Sequence, residues 1–128
     1  MLNQTAIYAL RAMGFLAHKK DSAPVLSSAI AREMDIPRNF LSKILNRLNQ
    51  AGLIRSVRGR NGGVALRRPA PQVRLFEVVQ LFMKIDDFKQ CLLGNKSCDG
   101  TCGLHIQWRI ISEQFDKLLN ETTIDQIL

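Results

Sequence analysis

The sequence predicts a mainly α-helical protein with one small β-hairpin: a winged helix-turn-helix plus a long C-terminal dimerisation helix. Three observations predict it. Apolar residues recur at helical spacing through successive segments. One basic, glycine-rich stretch, "LIRSVRGRNGGVALRR", breaks that period. Positive charge is also concentrated: residues 1–68 carry 12 Lys and Arg against 3 Asp and Glu, a net of +9, while residues 69–128 carry −2.

The elements follow in order. Residues 3–18 place Ala6, Ile7, Leu10, Met13, Gly14 and Ala17 at helical spacing. Pro24 in "DSAPVL" ends that helix, and His18 at its end suits the helix dipole. Ser27 or Ser28 can cap a short helix to Met34. Asp35–Ile36 make a tight turn, and Pro37 suits the first turn of the next helix. That third helix reaches Ala51, with Phe40, Leu41, Ile44, Leu45 and Leu48 as one apolar stripe. Gly52 stands where a left-handed cap is wanted. Residues 53–58 and 64–68 read as strands joined by a loop at 59–63. After "PAP" at 69–71, residues 75–85 form an amphipathic helix. A last helix spans 104–119, where Leu104, Trp108, Ile111, Phe115 and Leu118 make a heptad seam for a partner helix. The tail can cap at Thr122 or Thr123 and add a final turn.

A chain of 128 residues, 46% apolar, suits one domain with an appended arm. The expected divisions are a winged helix-turn-helix DNA-binding domain at 1–68, a connecting helix and cysteine-rich loop at 69–103, and the dimerisation helix and tail at 104–128. No apolar run reaches membrane-spanning length. "AIYALRAMGFLA" carries Arg11 and lacks a basic start, so it reads as a helix and not a signal peptide. The expected compartment is the cytoplasm.

The basic half calls for a polyanion, nucleic acid before a membrane surface. A helix with one apolar stripe can pack on its domain and push its other face into the major groove. Here that face offers Arg38, Asn39, Ser42, Lys43 and Arg47, side-chain types that bond base edges and phosphates. Arg58 and Arg60 flank a glycine-rich tip that can follow the backbone or enter a narrow minor groove. Each feature alone is more often a solvated face or an ordinary hairpin. Together, in a half carrying +9, they read as a reader of double-stranded DNA.

The chemistry gathers in "CLLGNKSCDGTCGLH", residues 91–105, which holds all three cysteines and one of the two histidines. An odd number of thiols argues against a secreted disulfide framework. Thiolates are the usual ligands of iron–sulfur clusters, and imidazole can replace one. Lys89 and Lys96 lie close in sequence and favour thiolates. Zinc accepts a Cys3His set, although this spacing matches no common zinc module. A thiol–disulfide switch needs only two cysteines, and inert thiols need none of this. An enzyme is not expected, because there is no CxxC pair, no nucleotide-binding glycine motif and no Ser/His/Asp set.

"YALRAM", "IPRNFLSKILNRLNQAGLIRSVRGRNGGVAL" and "CLLGNKSCDGTCGLHIQW" resemble the IscR/NsrR-type regulators, the Rrf-two family. The resemblance covers nearly the whole chain and is most specific at "SVRGRNGG". It implies a bacterial homodimeric winged-helix transcription regulator on a two-fold operator, sensing iron–sulfur, redox or nitric oxide status. It carries Cys91, Cys98 and Cys102 over as ligands of an iron–sulfur cluster, 2Fe-2S ahead of 4Fe-4S. His105 matches the histidine after the third cysteine and stands as fourth ligand. Two departures bear on the cluster: the cysteine gaps are less even here, and Ile7 occupies the position where some relatives supply an acidic ligand from the partner. Other relatives have no cluster, so a regulator governed by thiol oxidation, a small ligand or a partner protein is the alternative.

Overall fold

Asn3 begins the first helix by accepting the Ala6 N–H at 2.8 Å, so it caps the helix and does not belong to it. The computed structural model describes residues 2–128; Met1, the first residue of the expected DNA-binding domain, lies outside them. Helix α1 (Gln4–Ala17) is the centre of the molecule. Ala6, Ala9, Ala12 and Met13 are fully buried, and the small side chains let α2, α3 and α4 pack closely on it.

Helix α2 (Ser27–Met34) starts after Leu26, and no serine side chain caps it; both serines are already helical. Asp35 takes a left-handed backbone, φ 53°, and the Ile36 N–H closes on Ala31 O at 2.9 Å. Pro37 then sits just outside α3 (Arg38–Gln50), as its N-cap and not in its first turn. The far end of α3 follows expectation. Gly52, at φ 77°, donates to Asn49 O and Leu53 to Leu48 O, a Schellman closure. Leu41, Ile44, Leu45 and Leu48 are buried. Phe40 departs from the expected stripe: it is 48% exposed, on the flank of α3 where its ring meets Tyr8 of α1 at 6.3 Å.

Strands β1 (Ile54–Val57) and β2 (Gly63–Leu66) pair antiparallel, Ile54 opposite Leu66 and Val57 opposite Gly63. Both are shorter than expected. The free edge of β2 is taken by Val25, which exchanges two 2.8 Å backbone bonds with Val64. That approach explains Gly63: at φ 140°, a Cβ there would stand 2.2 Å from Val25 O.

Helix α4 (Leu75–Val79) is much shorter than the expected 75–85. After Val79 the chain tightens into i→i+3 bonds, Leu81 to Val78 and Phe82 to Val79, and the Asn3 side chain takes Phe82 O. A 3-10 turn at Ile85–Lys89 leads into the cysteine segment. Helix α5 (Gly103–Glu121) follows. Its tail straps back over the body: Leu75 donates to Thr122 O, Ile124 to Val73 O, and Ile124 is fully buried. His18 joins this strap, its Nε2 lying 2.6 Å from Ile127 O. The contact is tertiary, so His18 does more than face its own helix dipole. Among the described residues no helix is long and apolar enough to cross a membrane.

Candidate nucleic-acid interface and cysteine site

Burial of Leu41, Ile44, Leu45 and Leu48 turns the opposite face of α3 outward. Arg38, Asn39, Ser42, Lys43 and Arg47 are all exposed. Ser42 spends its hydroxyl proton on Arg38 O at 3.1 Å, which leaves its lone pairs free. Arg58 and Arg60 are exposed at the hairpin tip. Arg55 is not free in the same way, since its guanidinium donates to Ser22 O at 3.2 Å. The glycine-closed turn joins α3 directly to β1, and the two pack together, so helix and wing hold a fixed relation.

The cysteine segment lies against the start of α5. Cys91, Cys98, Cys102 and His105 all line one cavity of about 260 Å³, with Leu92, Leu93 and Trp108 among its other walls. All three thiols are free; Cys91 and Cys98 are half-buried and Cys102 is exposed. Cys98 Sγ stands 3.8 Å from His105 Nδ1. The loop is folded by its own polar groups: Asn95 accepts the Ser97 N–H, and Asp99 accepts both the N–H and hydroxyl of Thr101. The Thr101 hydroxyl, then its N–H, hold the Asp99 carboxyl below its usual range. Backbone N–H groups of Asn95 and then Leu93 point at Cys91 and lower its thiol, outweighing the small effect of burial.

These donors fit an iron–sulfur cluster in kind: three thiols and an imidazole around one cavity, with amide N–H groups that stabilise thiolate. Among the described residues, His, Cys, Asp and Glu side chains do not converge into a closed metal centre. The fit therefore rests on the shared cavity and the Cys98–His105 contact. Ile7, on α1, has no donor atom to offer.

The α5 seam divides. Trp108 and Phe115 are half-buried against their own chain: Trp108 donates to Gln90 O at 2.9 Å, and Phe115 meets Phe88 edge-on at 4.9 Å. Leu104, Ile111 and Leu118 are exposed, together with Ile106 and Ile110, which lie off the heptad seam. Leu119 and Ser112 are the α5 residues buried in the body.

Residues 2–128, the whole described chain, match the Rrf2 family model, an iron-dependent transcriptional regulator. This chain belongs to the Rrf2 family. The regulator IscR of Cronobacter sakazakii is 32% identical over 123 residues, covering 94% of this Rrf2-family chain and 75% of that protein. Among solved structures, the oxidized form of Staphylococcus aureus CymR superposes with a TM-score of 0.78 at 24% identity, covering 100% of this chain and 98% of its own. IscR of T. potens gives 0.75 at 20% identity, covering 97% and 82%. The hairpin is therefore the wing of an Rrf2-type winged helix, and the protein is a DNA-binding transcription regulator, not an enzyme.

Proposed function

We propose that this Rrf2-family regulator acts in the cytoplasm as a homodimer on a two-fold operator, and that the state of an iron–sulfur cluster on Cys91, Cys98, Cys102 and His105 governs its binding. The observation that carries the reading is the single cavity lined by all four of these residues at the start of α5. In this reading α3 presents Arg38, Asn39, Ser42, Lys43 and Arg47 to the major groove, while Arg58 and Arg60 reach phosphates or the minor groove. Leu104, Ile111 and Leu118 pack on the partner's α5, for which their exposure in one chain leaves room. Trp108 and Phe115 brace that helix from behind.

When bound, a 2Fe-2S cluster would supply a centre sensitive to oxidants and nitric oxide. The chain's own part is to hold it. Backbone N–H groups of Asn95 and Leu93 lower the Cys91 thiol and so favour its thiolate, and His105 presents Nδ1 beside Cys98. Residues 91–102 would hold the cluster at the base of α5, where its gain or loss would bear on the loop and, through α5, on the spacing of the two α3 helices.

The test compares anaerobically reconstituted and chelator-stripped protein on a duplex chosen by binding-site selection. The two affinities should differ by roughly 5–150-fold, the usual range of allosteric coupling. Equal affinities in the two states contradict switching through this site.

A further inference from the structure

The residue before Cys91 is tied to α5 by the chain's single tryptophan. Trp108 Nε1 donates to Gln90 O at 2.9 Å. Trp108 also lines the cysteine cavity and lies one turn beyond His105 on α5. Two more contacts fasten the same segment: Phe88 on Phe115, and Lys89 Nζ 3.9 Å from Asp116. Of these α5 partners, only Trp108 is also a wall of the cavity. An indole N–H donates and does not accept, and a carbonyl accepts without donating, so the direction of this bond is fixed.

We propose that Trp108 is the positioning residue of the cysteine site: its N–H fixes Gln90 and so sets where Cys91 stands relative to Cys98 and His105, linking the site to α5. Cys91 leaves the Gln90 anchor directly, and His105 leaves the same helix three residues before Trp108. The indole thus spans the two ends of the loop, and of the three contacts that hold residues 88–90 to α5 it is the one nearest Cys91 and the one that also walls the cavity. The cluster reading underlies only the loaded half of the test.

Full-length Trp108→Phe keeps an aromatic ring and loses the donor. In metal-free protein, iodoacetamide labelling followed by mass spectrometry reads each thiol separately. The expected result is several-fold faster alkylation of Cys91, with Cys98 and Cys102 at wild-type rates and helix content unchanged by circular dichroism. Trp108→His keeps a ring N–H two bonds from Cγ, as in indole, and is expected to restore the Cys91 rate. Phe115→Leu loosens the same segment without touching the N–H and is expected to leave that rate alone. Any other pattern among the folded variants, including a uniform change over all three thiols, overturns the proposal.

In protein reconstituted with iron and sulfide, Trp108→Phe is expected to shift the visible spectrum and release iron to a chelator several-fold faster. An unchanged spectrum and release rate overturn the coupling. Should wild-type protein take up no iron and sulfide, the cluster reading fails, and the alkylation pattern alone decides the role of Trp108.

Discussion

Arg68 and Glu77 join the end of the wing to the start of α4, with Nη1 2.7 Å from Oε1. Glu77 also accepts the Arg74 N–H at 3.0 Å, closing the first turn of α4, while Arg68 holds Gln72 O at 2.6 Å. One carboxylate thus secures the junction between the wing and α4. Burial raises the Glu77 carboxyl, but the Arg68 and Arg74 hydrogen bonds and both guanidinium charges together bring it below its ordinary value. A depressed carboxyl contributes stability that is complete above its unfolded value, about 4.3, and is lost as pH falls through the folded value. Glu77→Gln should cost about 1–2 kcal/mol at neutral pH. Melting curves over an acid series check this: the gap between wild type and Glu77→Gln should narrow on acidification.

Base reading by α3 is open to a selection experiment. Lys43→Ala and Asn39→Ala should each change the preferred sequence, with a good base contact worth about 1–3 kcal/mol. Ser42→Ala should do less, because its proton is already given to Arg38 O. Sequence preference identical to wild type in all three variants would mean that this face is only solvated.

The wing predicts a salt effect. Arg58 is exposed at the hairpin tip and has no protein partner in the hydrogen-bond or ion-pair contacts of the described residues. Arg58→Ala should weaken DNA binding and reduce the slope of log affinity against log salt by about one unit, for one phosphate contact. Titrations at several salt concentrations read both quantities.

Ile111 is 47% exposed in the single chain. Ile111→Asp should therefore fold normally yet fail to pair, since pairing would bury an unmatched charge. Light scattering should show monomer where wild type shows dimer. Phe115→Asp should behave differently and destabilise the fold itself, because that ring packs on Phe88.

The parts legible in the sequence are those with a local period or a special backbone. The α3 stripe ends at Gly52 because a left-handed turn needs glycine, and both signals sit within one segment. The hairpin is readable for the same reason. Contacts between distant segments carry no such mark. Val25 pairs with β2 through a single residue, too short to show alternation. Nothing local in His18 announces Ile127, 109 residues away. The seam on α5 shows why periodicity alone misleads: a heptad identifies an apolar face, but not which side the same chain already covers. Trp108 and Phe115 are taken by residues 85–90, leaving Leu104, Ile111 and Leu118 exposed beside Ile106 and Ile110. The cysteine site was visible as a cluster of donor types. The cavity and the Trp108 anchor needed the fold.

The most direct measurement is iron and acid-labile sulfide in protein reconstituted without oxygen, made in parallel for wild type and for Cys91→Ala, Cys98→Ala and Cys102→Ala. Wild-type protein should hold equal iron and sulfide with a visible absorption band, and each cysteine variant should lose both, since three thiolates leave none to spare. His105→Ala should retain a cluster that is more labile and spectrally shifted. Wild-type protein that binds zinc or nothing, and whose DNA affinity responds only to thiol oxidation, would contradict the cluster account.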